Sequence, residues 1–231
     1  MRRFGSAQRP QCNLIHKLIN PLTDMKQFFV RLGILSMAVL LLNASNPLSK
    51  GYKPGDKVKD FSLKNIDGKM ISLANLPQAT KGAIVIFTCN HCPFSKYYED
   101  RIIELDSKFK SQGYPVLAIN PNDPVKEPDD SFDNMIIRAK EKGFTFPYVI
   151  DETQEIARTF GATNTPHVFV VEKKGKNFFV RYIGAIDDSA KDASKATAKY
   201  VEDAVNSLLQ GKKVEKDQAK AIGCTIKWKN S

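Results

Sequence analysis

At 231 residues the chain has room for one well-buried domain with appendages and is short for two. Its 42% hydrophobic and 26% charged residues fall in the ordinary soluble globular range. The formal charge of +10 is concentrated at the front: residues 1–45 hold six Lys/Arg and one acid, leaving 29 basic against 24 acidic residues with no basic stripe interleaved with aromatics, which argues against a nucleic-acid partner.

The chain begins with a targeting pattern. From Met25, where translation is expected to start, a basic stretch (Lys26, Arg31) precedes the apolar run Leu32–Leu42 and the small residues Asn43-Ala44-Ser45. That is the layout of a secretory signal peptide over about residues 25–45. The apolar run is short for a membrane-spanning helix, which needs roughly 20 residues. The alternative is an uncleaved anchor, through which alone membrane contact is expected. In either case the domain works outside the cytosol, in the periplasm or secreted. No cysteine closely follows the apolar run, so a lipid-modified cysteine is not indicated.

Residues 46–57, rich in Pro, Gly and Lys, read as a linker into a domain over 58–210. Phe61–Leu63 and Lys69–Leu73 flank an Asp67-Gly68 turn and predict an N-terminal hairpin. Ala83–Thr88 is a continuous apolar, β-branched run, typical of a strand covered on both faces. Phe94, Tyr98, Ile102, Leu105 and Phe109 then trace one helix face, which Gly113 ends. Val116–Ile119 predicts a second buried strand, and the Pro- and Asp-rich segment 121–130 a solvated surface loop. Helices are predicted over about 131–142, 153–160 and 194–209, a strand at Phe146–Ile150, and a hairpin of Val168–Val171 with Phe178–Tyr182 across Gly175. Residues 211–231 form a basic tail packed on or near the domain, with Trp228 as its anchor. This order predicts an α/β fold with a central mixed sheet flanked by helices.

Cys12 falls in the leader, which leaves Cys89, Cys92 and Cys224. A bridge closing two intervening residues removes little entropy from the unfolded chain and makes a poor staple. The Cys89-Asn90-His91-Cys92 pair is better explained by redox chemistry, because it sits where a buried strand gives way to a helix. Helix N-termini present unpaired N–H groups and a positive dipole end that favour a thiolate. Cys89 is therefore expected as an exposed nucleophile with a lowered pKa, His91 as its tuner and Cys92 as the resolving thiol. Pro93 is tolerated in the first helical turn. Two buried or zinc-bound cysteines are the competing explanation, but no second Cys-X-X-Cys completes a four-cysteine site.

The segments IVIFTCNHCPFSKYYEDR and FPYVIDETQEIARTFGATNTPHVFVV, with PNDP, DDSFDNM, IGAIDDS and the closing GCTIKWK, resemble the thioredoxin-like superfamily. More narrowly they resemble the peroxiredoxin-like branch of the alkyl hydroperoxide reductase/thiol-specific antioxidant group, over about residues 52–230. The resemblance implies a thioredoxin-like fold in which Thr165-Pro166 occupies the place of the cis-proline that faces the cysteine pair and shapes the substrate groove. Peroxiredoxins proper carry a proline shortly before the reactive cysteine, and no proline lies between Pro77 and Cys89. Members of the branch often have a cysteine where Asn164 stands.

Four further positions have two readings each. His167 is expected to point into the sheet. The alternative is a Cu(I) or Zn(II) site of Cys89, Cys92, His91 and His167, as in copper-delivery proteins that share this fold. Cys224 is expected as a small structural residue, with a resolving thiol as the alternative. Asp187 and Asp188 are expected to cap or turn the chain rather than bind a cation. The reading as a whole is an exported thiol–disulfide oxidoreductase acting on protein or small-molecule thiols and recycled by a redox partner. A thiol peroxidase and a metal-delivery protein are the alternatives. No nucleotide or flavin fingerprint appears, and no cofactor is expected.

Overall fold

The structure, a computed structural model, describes residues 51–229. The leader, the signal segment, Cys12 and the first part of the expected linker lie outside the described residues. Ten strands and four α-helices follow: β1 (Lys57–Val58), β2 (Leu63–Asn65), β3 (Met70–Ile71), β4 (Gly82–Phe87), α1 (Pro93–Phe109), β5 (Val116–Asn120), α2 (Phe132–Lys142), β6 (Tyr148–Ile150), α3 (Glu155–Phe160), β7 (Asn164–Thr165), β8 (His167–Lys174), β9 (Asn177–Gly184), α4 (Tyr200–Leu209) and β10 (Cys224–Thr225).

Eight strands form one mixed sheet in the order β1-β9-β8-β4-β5-β6-β2-β3. β4, β5 and β6 run parallel, joined by crossovers through α1 and α2, while β8 pairs antiparallel with β4 and turns into β9. β4 lies near the middle and is buried along its whole length. Its side chains alternate: Ile84 and Ile86 join Tyr98, Ile102, Met135 and Val205 from α1, α2 and α4. Ala83, Val85 and Phe87 face the other way, against Phe61, Ala157, Phe160, Phe169 and Ile226. That second face is covered by the short α3 and by the two ends of the described chain.

The sequence pattern located the hairpin, the central strands and α1, and it erred at three places. Residues 51–57, read as linker, are docked: Tyr52 N–H donates to Phe160 O at 3.1 Å, Gly55 N–H donates to Val180 O at 2.8 Å, and Lys57–Val58 pairs with β9. Gly51 and Gly161 make this approach possible, since a Cβ on Gly161 would lie 2.6 Å from Gly51 Cα. The last helix starts at Tyr200 rather than near Ser194. Before it, the Asp192 carboxylate accepts the Ser194 N–H (3.0 Å) and caps a single 3-10 turn at Ala193–Lys195, and the Asp188 carboxylate accepts the Thr197 N–H (2.9 Å) and hydroxyl (2.6 Å), which keeps this turn apart from the helix. The third correction concerns residues 121–130, which belong to the site.

Candidate active site

β4 delivers the chain to the cysteine pair. Phe87 is the last strand residue, Thr88 N–H still donates to Ile119 O of β5 at 2.9 Å, and the chain then leaves the sheet. Cys92 is the N-cap of α1, in an extended conformation (φ −65°, ψ 123°), with Pro93 in the first turn and no acidic residue there. The positive end of the helix therefore faces the sulfurs without a competing carboxylate from its own first turn.

Cys89, Cys92 and Cys224 are free thiols. Cys89 is 3% exposed and Cys92 is fully buried, so the expected exposed nucleophile is instead covered. Both sulfurs converge on one residue: Cys89 Sγ lies 3.1 Å from Thr165 Oγ1, and Cys92 Sγ donates to Thr165 O at 3.2 Å. The Thr165-Pro166 bond is cis, as the resemblance implied. Cys89 Sγ also meets His91 Nδ1 at 3.5 Å and Ser95 Oγ at 3.7 Å.

The two thiols are pushed in opposite directions, and Cys89, expected to be lowered, is the one raised. The Cys89 thiol is pushed up, first by burial, then by sharing a hydrogen bond with Cys92 and by the nearby Asp130 carboxylate. The Cys92 thiol is held down, chiefly by the hydrogen bond from Cys89, with help from Cys224 and from the Ser95 backbone N–H. The two sulfurs therefore titrate as one coupled pair at the start of the helix.

Asp130 organises the remainder. Its Oδ1 accepts the backbone N–H groups of Asn90 (2.6 Å) and His91 (3.2 Å), and its Oδ2 meets His91 Nδ1 (2.5 Å) and Asn122 Nδ2 (2.7 Å). Asn120 Nδ2 donates to Asp130 O at 3.2 Å, and the Tyr148 hydroxyl donates to Asn90 Oδ1 at 3.0 Å. On the outer side His91 Nε2 is 3.7 Å from Glu127. Asp130 and Asn122 are buried, so the segment read as a solvated surface loop is in fact one wall of the site. The signal that points to it is topological: this loop follows β5, the parallel neighbour of β4, and loops at the carboxyl ends of adjacent parallel strands meet.

His167 does not join this group. Its Nδ1 accepts the Thr163 N–H at 3.3 Å and its ring packs on Phe169 (centroids 4.8 Å apart), into the sheet as expected. Burial lowers its pKa to about 4. The potential ligand atoms that do gather, all within 4.8 Å of one another, are those of Cys89, His91 and Asp130, which replaces the four-residue set with His167. Asp187 is structural, accepting from the Tyr98 hydroxyl (3.0 Å) and Arg101 (2.6 Å). The tail is docked against the same end of the sheet: Lys227 N–H donates to Asn122 Oδ1 at 2.9 Å, and the Trp228 ring is covered by the Arg158 guanidinium at 4.2 Å.

The sequence model of the AhpC/TSA family matches residues 54–182. The thiol-disulfide oxidoreductase ResA of Halalkalibacterium halodurans is 25% identical over 159 residues, covering 65% of this chain and 84% of that protein. Against the same-named protein of Bacillus thuringiensis strain Al Hakam the match spans 53% of this chain and 65% of that one. Among solved structures, an uncharacterized conserved protein from Geobacillus kaustophilus superposes with a TM-score of 0.72 at 34% identity, over 79% of this chain and 96% of that one. A putative thiol:disulfide interchange protein DsbE from Chlorobium tepidum shares the fold, with a TM-score of 0.54 at 17% identity over 69% of this chain and 99% of that one. With more than half of its length matched and a cysteine pair held at the strand–helix junction of a thioredoxin-like sheet, the chain belongs to the AhpC/TSA family.

Proposed function

We propose that the protein is an exported thiol–disulfide oxidoreductase in which Cys89 and Cys92 exchange a disulfide with protein or small-molecule thiols. Its family and named relatives make it a thiol-based redox enzyme; the residue roles and the location are this reading's own. One observation carries it: two free sulfurs in contact with opposite sides of Thr165, one at its hydroxyl and one at its carbonyl. Such a pair sets two coupled thiols side by side at the start of a helix, which is what exchange requires.

In the reducing direction, Cys89 gives up its proton and attacks one sulfur of the incoming disulfide. The substrate's other sulfur leaves as a thiolate with the bonding electrons. Cys92 then gives up its proton and attacks Cys89 Sγ, which releases the substrate's second thiolate and leaves a Cys89–Cys92 disulfide. A redox partner protein returns the pair to the thiol form. The Thr165 hydroxyl supports the Cys89 thiolate as a hydrogen-bond donor, Thr165-Pro166 positions the substrate, and His91 with Asp130 sets the local charge. Export is inferred from the pattern over residues 25–45, and disulfide chemistry persists outside the cytosol.

Equilibration in graded thiol–disulfide buffers tests the reading. A single two-electron couple is expected, kept in Cys224→Ser as a Cys89–Cys92 disulfide and absent from Cys92→Ser. A potential near roughly −120 mV marks an oxidant and one near roughly −270 mV a reductant. If no Cys89–Cys92 disulfide forms in Cys224→Ser anywhere in the range, exchange is not the function. Hydroperoxide reduction is the second reading, favoured by membership of the AhpC/TSA family. Stopped-flow mixing with hydrogen peroxide separates the two, because oxidation no faster than that of free cysteine eliminates a peroxidase.

A further inference from the structure

Cys224 is a nucleophile that the reaction above leaves unused. It reaches the site on the returning tail, where β10 pairs antiparallel with β7 and sets Cys224 opposite Thr165. The pairing is fixed on both sides: Asn164 Nδ2 donates to Gly223 O at 3.0 Å and Ile226 N–H donates to Thr163 O at 3.2 Å. Gly223 is required for this approach, because a Cβ there would lie 2.2 Å from Thr165 O. The same Thr165 O accepts the Cys92 thiol at 3.2 Å. Cys92 therefore has two cysteines beside it: Cys89, and on the tail Cys224, which the β10–β7 register sets opposite Thr165 and whose thiol and backbone N–H both help to hold the Cys92 thiol down.

We propose that Cys224 is a third redox-active cysteine, which takes over the Cys89–Cys92 disulfide as Cys92–Cys224. The step is a disulfide isomerisation and needs no further oxidant. The Cys224 thiol loses its proton and its thiolate attacks Cys92 Sγ; the Cys89–Cys92 bond breaks, and Cys89 leaves with the electron pair and takes up a proton. Chemistry favours the order. In the reduced site burial, then the hydrogen bond with Cys92 and last its charge, push the Cys224 thiol up to about 11, which keeps it idle. Once Cys92 is bound in a disulfide it carries no charge, and that part of the restraint on Cys224 disappears. The result is an oxidised form in which Cys89 is a thiol again and the tail is covalently held across Thr165.

This inference rests on the exchange reading of Cys89 and Cys92, and one experiment separates the two. The full-length protein and its Cys89→Ser and Cys224→Ser variants are oxidised with oxidised glutathione, quenched in acid, alkylated with N-ethylmaleimide and mapped by peptide mass spectrometry. In the unmodified protein Cys224 is expected to lose alkylation and appear linked to Cys92, while Cys89 keeps it. Cys89→Ser should form the Cys92–Cys224 link, and Cys224→Ser the Cys89–Cys92 link. A Cys89–Cys92 link with Cys224 fully alkylated in the unmodified protein, or a Cys89→Ser protein that stays reduced where Cys224→Ser oxidises, overturns the third cysteine and leaves exchange standing. A Cys224→Ser protein without a Cys89–Cys92 link overturns the exchange reading and the transfer step with it.

Discussion

Asp130 adds to the restraint on the Cys89 thiol. Its carboxylate is one of the groups that raise the Cys89 thiol, behind burial and the bond to Cys92. Asp130→Asn keeps an oxygen to accept the Asn90 and His91 N–H groups while removing the charge. Cys89 alkylation by iodoacetamide at pH 7 should accelerate roughly threefold to tenfold, the effect of about 0.7–1.4 kcal/mol. An unchanged rate would mean that burial alone sets the reactivity. A second titrating group acts on stability. His167 is held down to about 4 by burial, below the ordinary 6.5, so it stays neutral in the fold while the unfolded chain takes up a proton. Its contribution is complete above about pH 6.5 and is lost as pH falls toward about 4, by roughly 2–3 kcal/mol. The difference in urea stability between the protein and His167→Gln should therefore change across that window and be flat above it. A parallel pair of profiles would assign the acid sensitivity to the carboxylates. Cys89, His91 and Cys92 were legible in sequence because spacing and a strand–helix boundary mark them, and Thr165 and Pro166 only through the resemblance to the thioredoxin-like superfamily. Asp130 was not, because it is 39 residues from His91 and its loop has the composition of any solvated turn.

At the level of elements, hydrophobic periodicity reads α1 well, since Tyr98, Ile102, Leu105 and Phe109 are all buried. It says nothing of Glu99, a charge on the buried side of the same helix. Glu99 is accommodated by a forked pair with Arg138 of α2, Nε to Oε1 at 2.8 Å and Nη2 to Oε2 at 2.6 Å, with Lys142 Nζ at 3.4 Å. The pair ties together the two helices that carry and wall the site. Arg138→Met should cost about 2 kcal/mol in urea unfolding with an unchanged slope, less than the roughly 3–5 kcal/mol of a wholly unpaired buried charge because Lys142 remains. A loss under about 0.5 kcal/mol would place the pair with ordinary surface ion pairs. No sequence periodicity could have announced it, because the two partners lie on different helices and meet only once both pack on the sheet.

For the whole molecule, the central strands follow from runs of apolar residues, while the two ends that close the structure carry no such runs. Residues 51–57 and 211–229 dock through backbone pairing and single side chains such as Tyr52, Ile226 and Trp228, so composition presents them as linker and tail. The tail nevertheless reaches the site, where β10 sets Cys224 opposite Thr165, and Gly223 is the point at which its part in covering the cysteines can be tested. A Cβ at Gly223 would meet Thr165 O at 2.2 Å and Thr165 C at 2.6 Å, and these are backbone atoms of a residue whose side chain and carbonyl both serve the sulfurs. Gly223→Ala must therefore lift the tail strand, giving up the β7 pairing and the burial of Ile226. Upstream, Ala219 N–H on Ile183 O at 3.0 Å still holds the segment to β9, so the release is local. Uncovering one Ile costs about 1.5–3 kcal/mol, and the fold should survive it. Maleimide labelling of Cys89 and Cys92 should rise together with labelling of Cys224, at a temperature well below the unfolding midpoint. Faster labelling of Cys224 with Cys89 and Cys92 unchanged would show that the site is closed by the β5–α2 loop and not by the tail, and access for substrate would then have to come from the Asp130 side.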